Sequence, residues 1–439
     1  MRCQFRDGKI PALTLFAALF VACATLPGSN EEGFVSLFDG QSLKGWTLVA
    51  PKGAGYGVTN GVLYCAKGGC GNLLSEREYA DFILRLDFKL DPGANNGIAI
   101  RAPLAGGSLA YTGIELQILD DDASPRYARL RPAQYHGSVY DIWPAARGAL
   151  RKAGQWNSQE ITVIGRRIQI VLNGRRILDA NLNEVRDVNT LLKHPGMLRD
   201  KGHIGLLGHD DHVEFRRIRI KEIARANLNN IPPEGFVRIF NGENLDGWKG
   251  LLAPPNDNPT NRVRLTSQAL AAAQAAADRR MRASWKAVNG ELVFDGKGDS
   301  LVTSGNHADY ELLLDWKIEP KGDRGIYLRG NPQVQIWDPR EGGTNAVVGS
   351  GGLYNNKLHP STPLKRADRM TGELNRFRIL MLGDRVHVFL NDELVVNNTP
   401  LENYWQPGEP LPATGSIELQ NHGTTLRFRN LYLREISRE

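Results

Sequence analysis

Three short segments of this chain set polar side chains on one side of an extended backbone and apolar side chains on the other. On a strand, residues two apart point the same way. Tyr327 and Arg329 then share a face, opposite Ile326 and Leu328. Gln333, Gln335 and Trp337 share another, opposite Val334 and Ile336, and Glu418, Gln420 and His422 share a third, opposite Ile417 and Leu419. Guanidinium, carboxamide, carboxylate, imidazole and indole groups on one sheet face suit a sugar, whose hydroxyls need paired donors and acceptors and whose C–H face packs on a ring. An ordinary solvent-facing sheet is the competing reading, but it more typically carries Thr, Ser and Lys.

Earlier in the chain the same pattern recurs in weaker form. Ala99 and Arg101 share a face, as do Glu115, Gln117 and Leu119, and as do Gly205, Leu207 and His209. Leu207 stands where the later segment has Gln420, Gly205 where it has Glu418, and Glu115 supplies a carboxylate in place of Gln333. The two sites are therefore not equivalent, and the later one offers more polar groups. No Gly-x-Ser-x-Gly, His-Glu-x-x-His or phosphate-binding loop is present. Asp120-Asp121-Asp122 and Asp210-Asp211 offer the oxygen ligands that calcium prefers; solvated acidic turns are the alternative.

These faces need a sheet to carry them, and an internal repeat supplies two. Gly33-Phe34-Val35-Ser36-Leu37-Phe38-Asp39-Gly40 and Leu43-Lys44-Gly45-Trp46 return as Gly235-Phe236-Val237-Arg238-Ile239-Phe240-Asn241-Gly242 and Leu245-Asp246-Gly247-Trp248. Asn60-Gly61, Phe82 to Phe88, Gly97 to Arg101, Gln117 to Asp120 and Ile204 to His209 recur in the same order at Asn289-Gly290, Tyr310 to Trp316, Gly325 to Arg329, Gln335 to Asp338 and Ile417 to His422. A whole domain is duplicated, over residues 31–224 and 234–439, with Pro232-Pro233 at the boundary. Alternating runs such as Phe82 to Leu90, Ile161 to Leu172 and Arg376 to Leu390, punctuated by Asn173-Gly174 and Gly383-Asp384, predict an all-β two-sheet sandwich or jelly roll. Asn261 to Lys286 is rich in alanine and predicts a helix inserted in the second unit alone, with Ser267 near its start. It is either a surface helix packed on the sandwich or a wall for the second site.

Length and composition agree with this. The 439 residues exceed one ordinary domain, and the 47 glycines fit many tight turns. A net charge of +6 without a basic stripe interleaved with aromatics argues against a nucleic-acid partner. Arg2, Arg6 and Lys9 precede an apolar run from Leu13 to Ala24, which reads as an export signal over residues 1–24. Cleavage after Ala24 and lipidation of Cys23, which would anchor the chain to a membrane, are both open, so the mature protein is periplasmic, membrane-anchored or secreted. In an oxidising compartment Cys65 and Cys70 are placed to form a local disulfide, with Gly68-Gly69 letting the loop close; two free buried thiols are the alternative.

On these segments the chain resembles the 3-keto-disaccharide hydrolase domain family. The residues that carry the match are the repeated openings above, Gly325 to Gly330, Val334 to Asp338, Gly351-Gly352-Leu353-Tyr354-Asn355, Ile417 to Gly423 and Phe428-Arg429-Asn430. In the first unit they are Gly113 to Asp120 and Gly154 to Asn157, with a departure at Leu207-Gly208. The resemblance implies a concanavalin A-like jelly roll in each unit. It also implies cleavage of a glycoside already oxidised to a ketone at C3. Such a ketone acidifies the C2 proton, so the route needs one base near neutral pKa and one stabiliser of the enolate oxygen, without the paired carboxylates of an ordinary glycosidase. His422 or Glu418 is then the expected base and Arg329 the enolate stabiliser, with Tyr327, Gln335, Trp337, Asp338, Tyr354, Asn355 and Gln420 binding the sugar. The counterparts are His209 or Glu115 with Arg101, Gln117 and Asp120. A carbohydrate-binding protein without catalysis, and a scaffolding surface lipoprotein, are the rival readings.

Overall fold

The computed structural model describes residues 33–122, 125–224, 229–340 and 347–437, without the side chains of Cys70 and Pro332. The leader segment and Cys23 lie outside these residues. Each unit is two antiparallel sheets facing one another across an apolar core, as the alternation predicts. In the first unit an eight-stranded sheet is built around Phe82–Leu90, Trp156–Ile164 and Val213–Glu222. Its partner has five strands, which we number β1 (Trp46–Lys52), β2 (Cys70–Tyr79), β3 (Asn95–Ala102), β4 (Ile114–Leu119) and β5 (Gly202–Gly208). They lie side by side in the order β1-β2-β5-β3-β4. The second unit repeats the arrangement with β6 (Trp248–Gly250), β7 (Leu301–Thr303), β8 (Asp323–Leu328), β9 (Asn331–Trp337) and β10 (Glu418–Leu419), in the order β6-β7-β10-β8-β9.

The repeated motifs turn out to be local fasteners. Asp39 Oδ1 accepts from the backbone N–H groups of Gln41 and Ser42, and Asn241 Oδ1 does the same for Glu243 and Asn244. The indole N–H of Trp46 donates to Leu37 O at 2.7 Å, and that of Trp248 donates to Ile239 O at 2.6 Å. Asn60-Gly61 and Asn289-Gly290 both have positive φ at each residue, the requirement of a two-residue hairpin turn that follows the strand twist. These motifs therefore determine the sandwich and not its chemistry.

The helical insertion comes in two pieces. A single turn, Pro259–Arg262, precedes a helix at Ser267–Ser284 whose cap is Thr266, one residue before the expected start. Ala277 and Met281 are buried, Ala277 closes on Gly250 of β6, and Gln274 donates to Gly250 O. The long helix thus packs on the sheet edge, as the simpler expectation held.

The two units form one packed body. Leu380, Leu382, Phe389 and Ile436 of the second unit join the apolar cluster of the first. Glu311 lies between Arg166 of the first unit and Arg378 and Arg434 of its own, with Arg166 at 2.5 Å, Arg378 at 2.5 Å and Arg434 at 2.7 Å. Burial alone would push the Glu311 carboxyl up, but the three guanidinium charges outweigh it and hold its pKa well below the usual range.

Candidate functional site

The outer face of the second unit's five-stranded sheet gathers the predicted side chains in rows. Tyr327 pairs with Glu418 on one side and Gln333 on the other; Gly325 pairs with Gln335; Asp323 pairs with Trp337. Ile326, Val334, Ile336 and Leu419 point inward and are buried in the core, so the alternation read from the sequence holds across these strands.

Asp323, missed in the sequence, fixes the orientation of the whole face. Gln335 Nε2 donates to Asp323 Oδ1 at 2.6 Å. A carboxylate only accepts, so the Gln335 amide must present its NH2 there. Its oxygen then faces Gln333, whose Nε2 donates to it. The Gln333 oxygen is left buried without a protein partner, and so is that of Gln420, whose Nε2 reaches Tyr327 Oη at 3.3 Å. Two fixed acceptors therefore await donors, which sugar hydroxyls supply. Gly325 is the floor under this arrangement, because a Cβ there would lie 2.5 Å from Gln333 Oε1.

Glu418 is a carboxyl of the face that burial perturbs. It is 8% exposed, and burial pushes its pKa up to about 7, against the Ser300 hydrogen bond and the Arg262 charge that favour ionisation. Arg262 belongs to the single helical turn of the insertion, and its Nε and Nη2 donate to Asn256 O and Asp257 O. The insertion thus contributes a wall through its first turn as well as a packed helix. Tyr327 is held protonated by burial, with the Glu418 charge acting the same way. On the opposite flank the half-exposed Tyr354 meets Trp337 edge-on at 5.5 Å.

Several expectations need correction. Arg329 is not on this face. Its φ of 55° breaks the strand alternation after Leu328, and the guanidinium runs into the end of the sandwich. There its donors go to Ala308 O, Gly383 O, Pro412 O and Asp309 Oδ1, which leaves no N–H for an enolate. Arg101, at φ 51°, does the same with Ala80 O, Asp81, Gly165 O and Arg199 O. Both arginines are staples, and their recurrence in the repeat reflects that. Asp338 is also structural, accepting from Lys321 N, Arg340 N and Thr371 Oγ1, and Asp120 accepts from Gly93 N. Asn355 holds Gln333 N and so supports the face from its edge. His422 follows the end of β10, is 60% exposed and stands 3.8 Å from Asp323 at the rim. A cavity of about 1210 Å³ lies beyond the β8–β9 turn, among Asn355, Lys357, Glu402 and Tyr404. It meets the face only at its edge and holds neither the raised carboxyl nor the unpaired amides, so the sheet face remains the stronger candidate.

In the first unit the acid has changed strands. Asn95 replaces Asp323, and Glu115 replaces Gln333. Glu115 Oε1 meets His209 Nε2 at 3.4 Å. Burial would lower the His209 pKa, but the Glu115 hydrogen bond and charge, with Asp211 and Asp210, raise it overall. Where Glu418 stands in the second unit there is Gly205, and Leu74 fills the space a Cβ would take.

Among the described residues no three His, Cys, Asp or Glu side chains converge as a metal site. Asp121 caps His136 N, Asp210 pairs with Lys52, and Asp211 holds Asn95 N. Cys65 is disulfide-bonded and buried, while the side chain of Cys70 lies outside the described ones.

A family model described as the 3-keto-alpha-glucoside-1,2-lyase-like domain matches residues 33–221 and again residues 235–434. A Bacteroides thetaiotaomicron protein called 3-keto-disaccharide hydrolase is 25% identical over 238 residues, covering 44% of this chain and 79% of that protein. A crystal structure of a supposed glycosyl hydrolase from Parabacteroides distasonis is 26% identical with a TM-score of 0.38, over 43% of this chain and 99% of its own. The carbohydrate binding module CBM66 of Bacillus subtilis is 15% identical with a TM-score of 0.28, over 40% of this chain and 96% of its own.

Proposed function

Because this chain belongs to the 3-keto-alpha-glucoside-1,2-lyase-like family through both of its units, we propose that it is an exported enzyme that cleaves 3-keto-glycosides in the second unit, with Glu418 as the base. The observation that carries the reading is a buried carboxyl with a pKa of about 7 beside two unpaired amide oxygens. A base that titrates near the working pH combines an adequate ionised fraction with adequate basicity.

The steps follow from the ketone. Glu418 takes the proton from C2, and the electron pair of that C–H bond becomes the C2=C3 enolate. The Tyr327 hydroxyl and the Arg262 charge stabilise the developing oxyanion at O3, the role that Arg329 cannot fill. Collapse of the enolate restores the C3 carbonyl, forms C1=C2 and breaks the C1–O bond, and the leaving oxygen takes the proton that Glu418 removed from C2. Water then adds, its oxygen to C1 and a proton to C2, which gives the free 3-keto sugar. Gln333 and Gln420 accept hydroxyl protons of the sugar, and Tyr354 and Trp337 pack on its C–H face.

Binding without cleavage is the second reading, since the unpaired amides of Gln333 and Gln420 suit a ligand that never reacts. Incubating the protein with 3-keto-glycosides, with and without chelator, and measuring the released monosaccharide decides between them. Release by the natural protein and its loss in Glu418→Gln is the expected result. No release from any 3-keto-glycoside, with tight binding of unoxidised oligosaccharides, leaves the binding reading standing.

A further inference from the structure

We infer that the first unit holds a second, smaller site that takes a single pyranose ring. It is separate from the cleavage site proposed for the second unit and does not depend on that reading.

Its acceptors are buried amide oxygens, as in the second unit, but they lie at different positions of the sheet. Gln117 is 4% exposed, and its Oε1 is buried with no partner; Asn95 Oδ1, on the adjacent strand β3, is likewise unpaired. A buried amide oxygen without a donor costs about 1–3 kcal/mol, so two on one face mark a place where a ligand or water completes them. Beside them the Glu115–His209 pair, at 3.4 Å, adds an acceptor-only carboxylate and an imidazole. Gly97 lies beneath Glu115 Oε1 and leaves room for it, as Gly325 does for Gln333.

The size limit comes from the other half of the face. In the second unit this half carries Tyr327, Glu418 and Gln420. In the first unit the same positions are Ala99, Gly205 and Leu207. Leu74 lies over Gly205, and Leu109 from the short helix Leu109–Thr112 closes on Leu74, Ala99 and Leu207 to form a separate apolar cluster. The second unit has only a tight turn where the first has this helix, between β8 and β9, so no helix from that connection covers its face. What stays polar in the first unit is the patch of Asn95, Gln117, Glu115 and His209, enough for one polyhydroxylated ring. A second ring would meet the apolar half, where its hydroxyls find no partner.

Titration of the full chain with monosaccharides, by calorimetry with stoichiometry read out, tests this. Glucose and 3-keto-glucose serve as probes, so that a preference for the oxidised ring identifies a product of the cleavage reaction as the occupant. A non-hydrolysable disaccharide serves as the larger probe. The natural protein is expected to bind two equivalents of the favoured monosaccharide and one of the disaccharide. Gln117→Leu is expected to weaken one monosaccharide site by about tenfold, the loss of one buried hydrogen bond, and to leave the disaccharide unchanged. His209→Asn, at a half-exposed position, gives the same readout should Gln117→Leu fold poorly. No monosaccharide binding by the natural protein, or binding that survives both substitutions undiminished, overturns the inference. Absence of cleavage with two monosaccharide equivalents leaves it standing and removes only the catalytic reading.

Discussion

Replacing Glu418 by glutamine should inactivate the second unit and stabilise it at the same time. The carboxyl has an ordinary pKa of 4.5 and is pushed up to about 7 by burial. A raised carboxylate pKa means that the folded protein binds the proton more tightly than the unfolded chain. The ionised group therefore costs stability above the unfolded pKa, and the cost disappears as pH falls below it. The full difference is worth about 3 kcal/mol at pH 8 and under about 1 kcal/mol at pH 5, at about 1.4 kcal/mol per pKa unit. Glutamine keeps the shape and removes the charge, so most of that cost should be relieved. For a domain of this size the gain corresponds to roughly 6–12 °C in Tm as an upper bound, because the neutral amide must also be desolvated. Thermal melts of Glu418→Gln and the natural protein at pH 5 and pH 8 measure it. In parallel, cleavage should fall by about 10²- to 10⁴-fold, the usual contribution of a general base. The natural protein's kcat/KM should rise with pH through about 7 as Glu418 ionises. A variant less stable than the natural protein at pH 8 would refute the buried, partly neutral carboxyl. A variant with full activity would refute its role as the base.

The other predictions concern the supporting structure. Arg329→Met should lower stability by roughly 3–5 kcal/mol, the cost of removing one partner of the buried Arg329–Asp309 ion pair, while the folded fraction keeps its kcat/KM; a selective loss of kcat with an unchanged melt would restore Arg329 to the chemistry. Glu311→Ala should destabilise by a similar roughly 3–5 kcal/mol, because it leaves Arg166, Arg378 and Arg434 buried without their counter-charge. In the natural protein the stability Glu311 contributes is present above its unfolded pKa of 4.5 and is lost as pH falls through the lowered folded value, which melts on the acid side should show relative to Glu311→Gln. Gly325→Ala should displace the whole Gln333 side chain, whose Cβ would lie 2.8 Å from the new methyl, and so lower Tm and weaken sugar binding about tenfold, read by melts and titration. Expression of a tagged full chain in a bacterial host followed by fractionation should place it outside the cytoplasm; recovery in the cytoplasm alone would remove the export proposal.

The sequence alone determined the duplication, the all-β sandwich and the side of each strand that carries polar groups. Alternation has a period of two, and a single buried core forces Ile326, Val334, Ile336 and Leu419 inward, so Tyr327, Gln333, Gln335 and Glu418 had no other place to go. The same rule failed where the strand itself ended. Counting by twos places Arg329 on the face, but its positive φ carries it to Asp309 and Gly383, residues 20 and 54 positions away in the chain. The same counting places His422 there, yet it stands at the rim, beyond the end of β10. Only the tertiary structure favours Glu418 over His422 as the proposed base, because burial raises its pKa against the opposing charge of Arg262, which comes from a turn distant in sequence. It also decided which amide oxygens stay unpaired, because Asp323 fixes Gln335, and Gln335 fixes Gln333, only once three residues from two strands lie side by side. Alternation is local and survives in the sequence. Burial and hydrogen-bond direction depend on which segments the fold brings together.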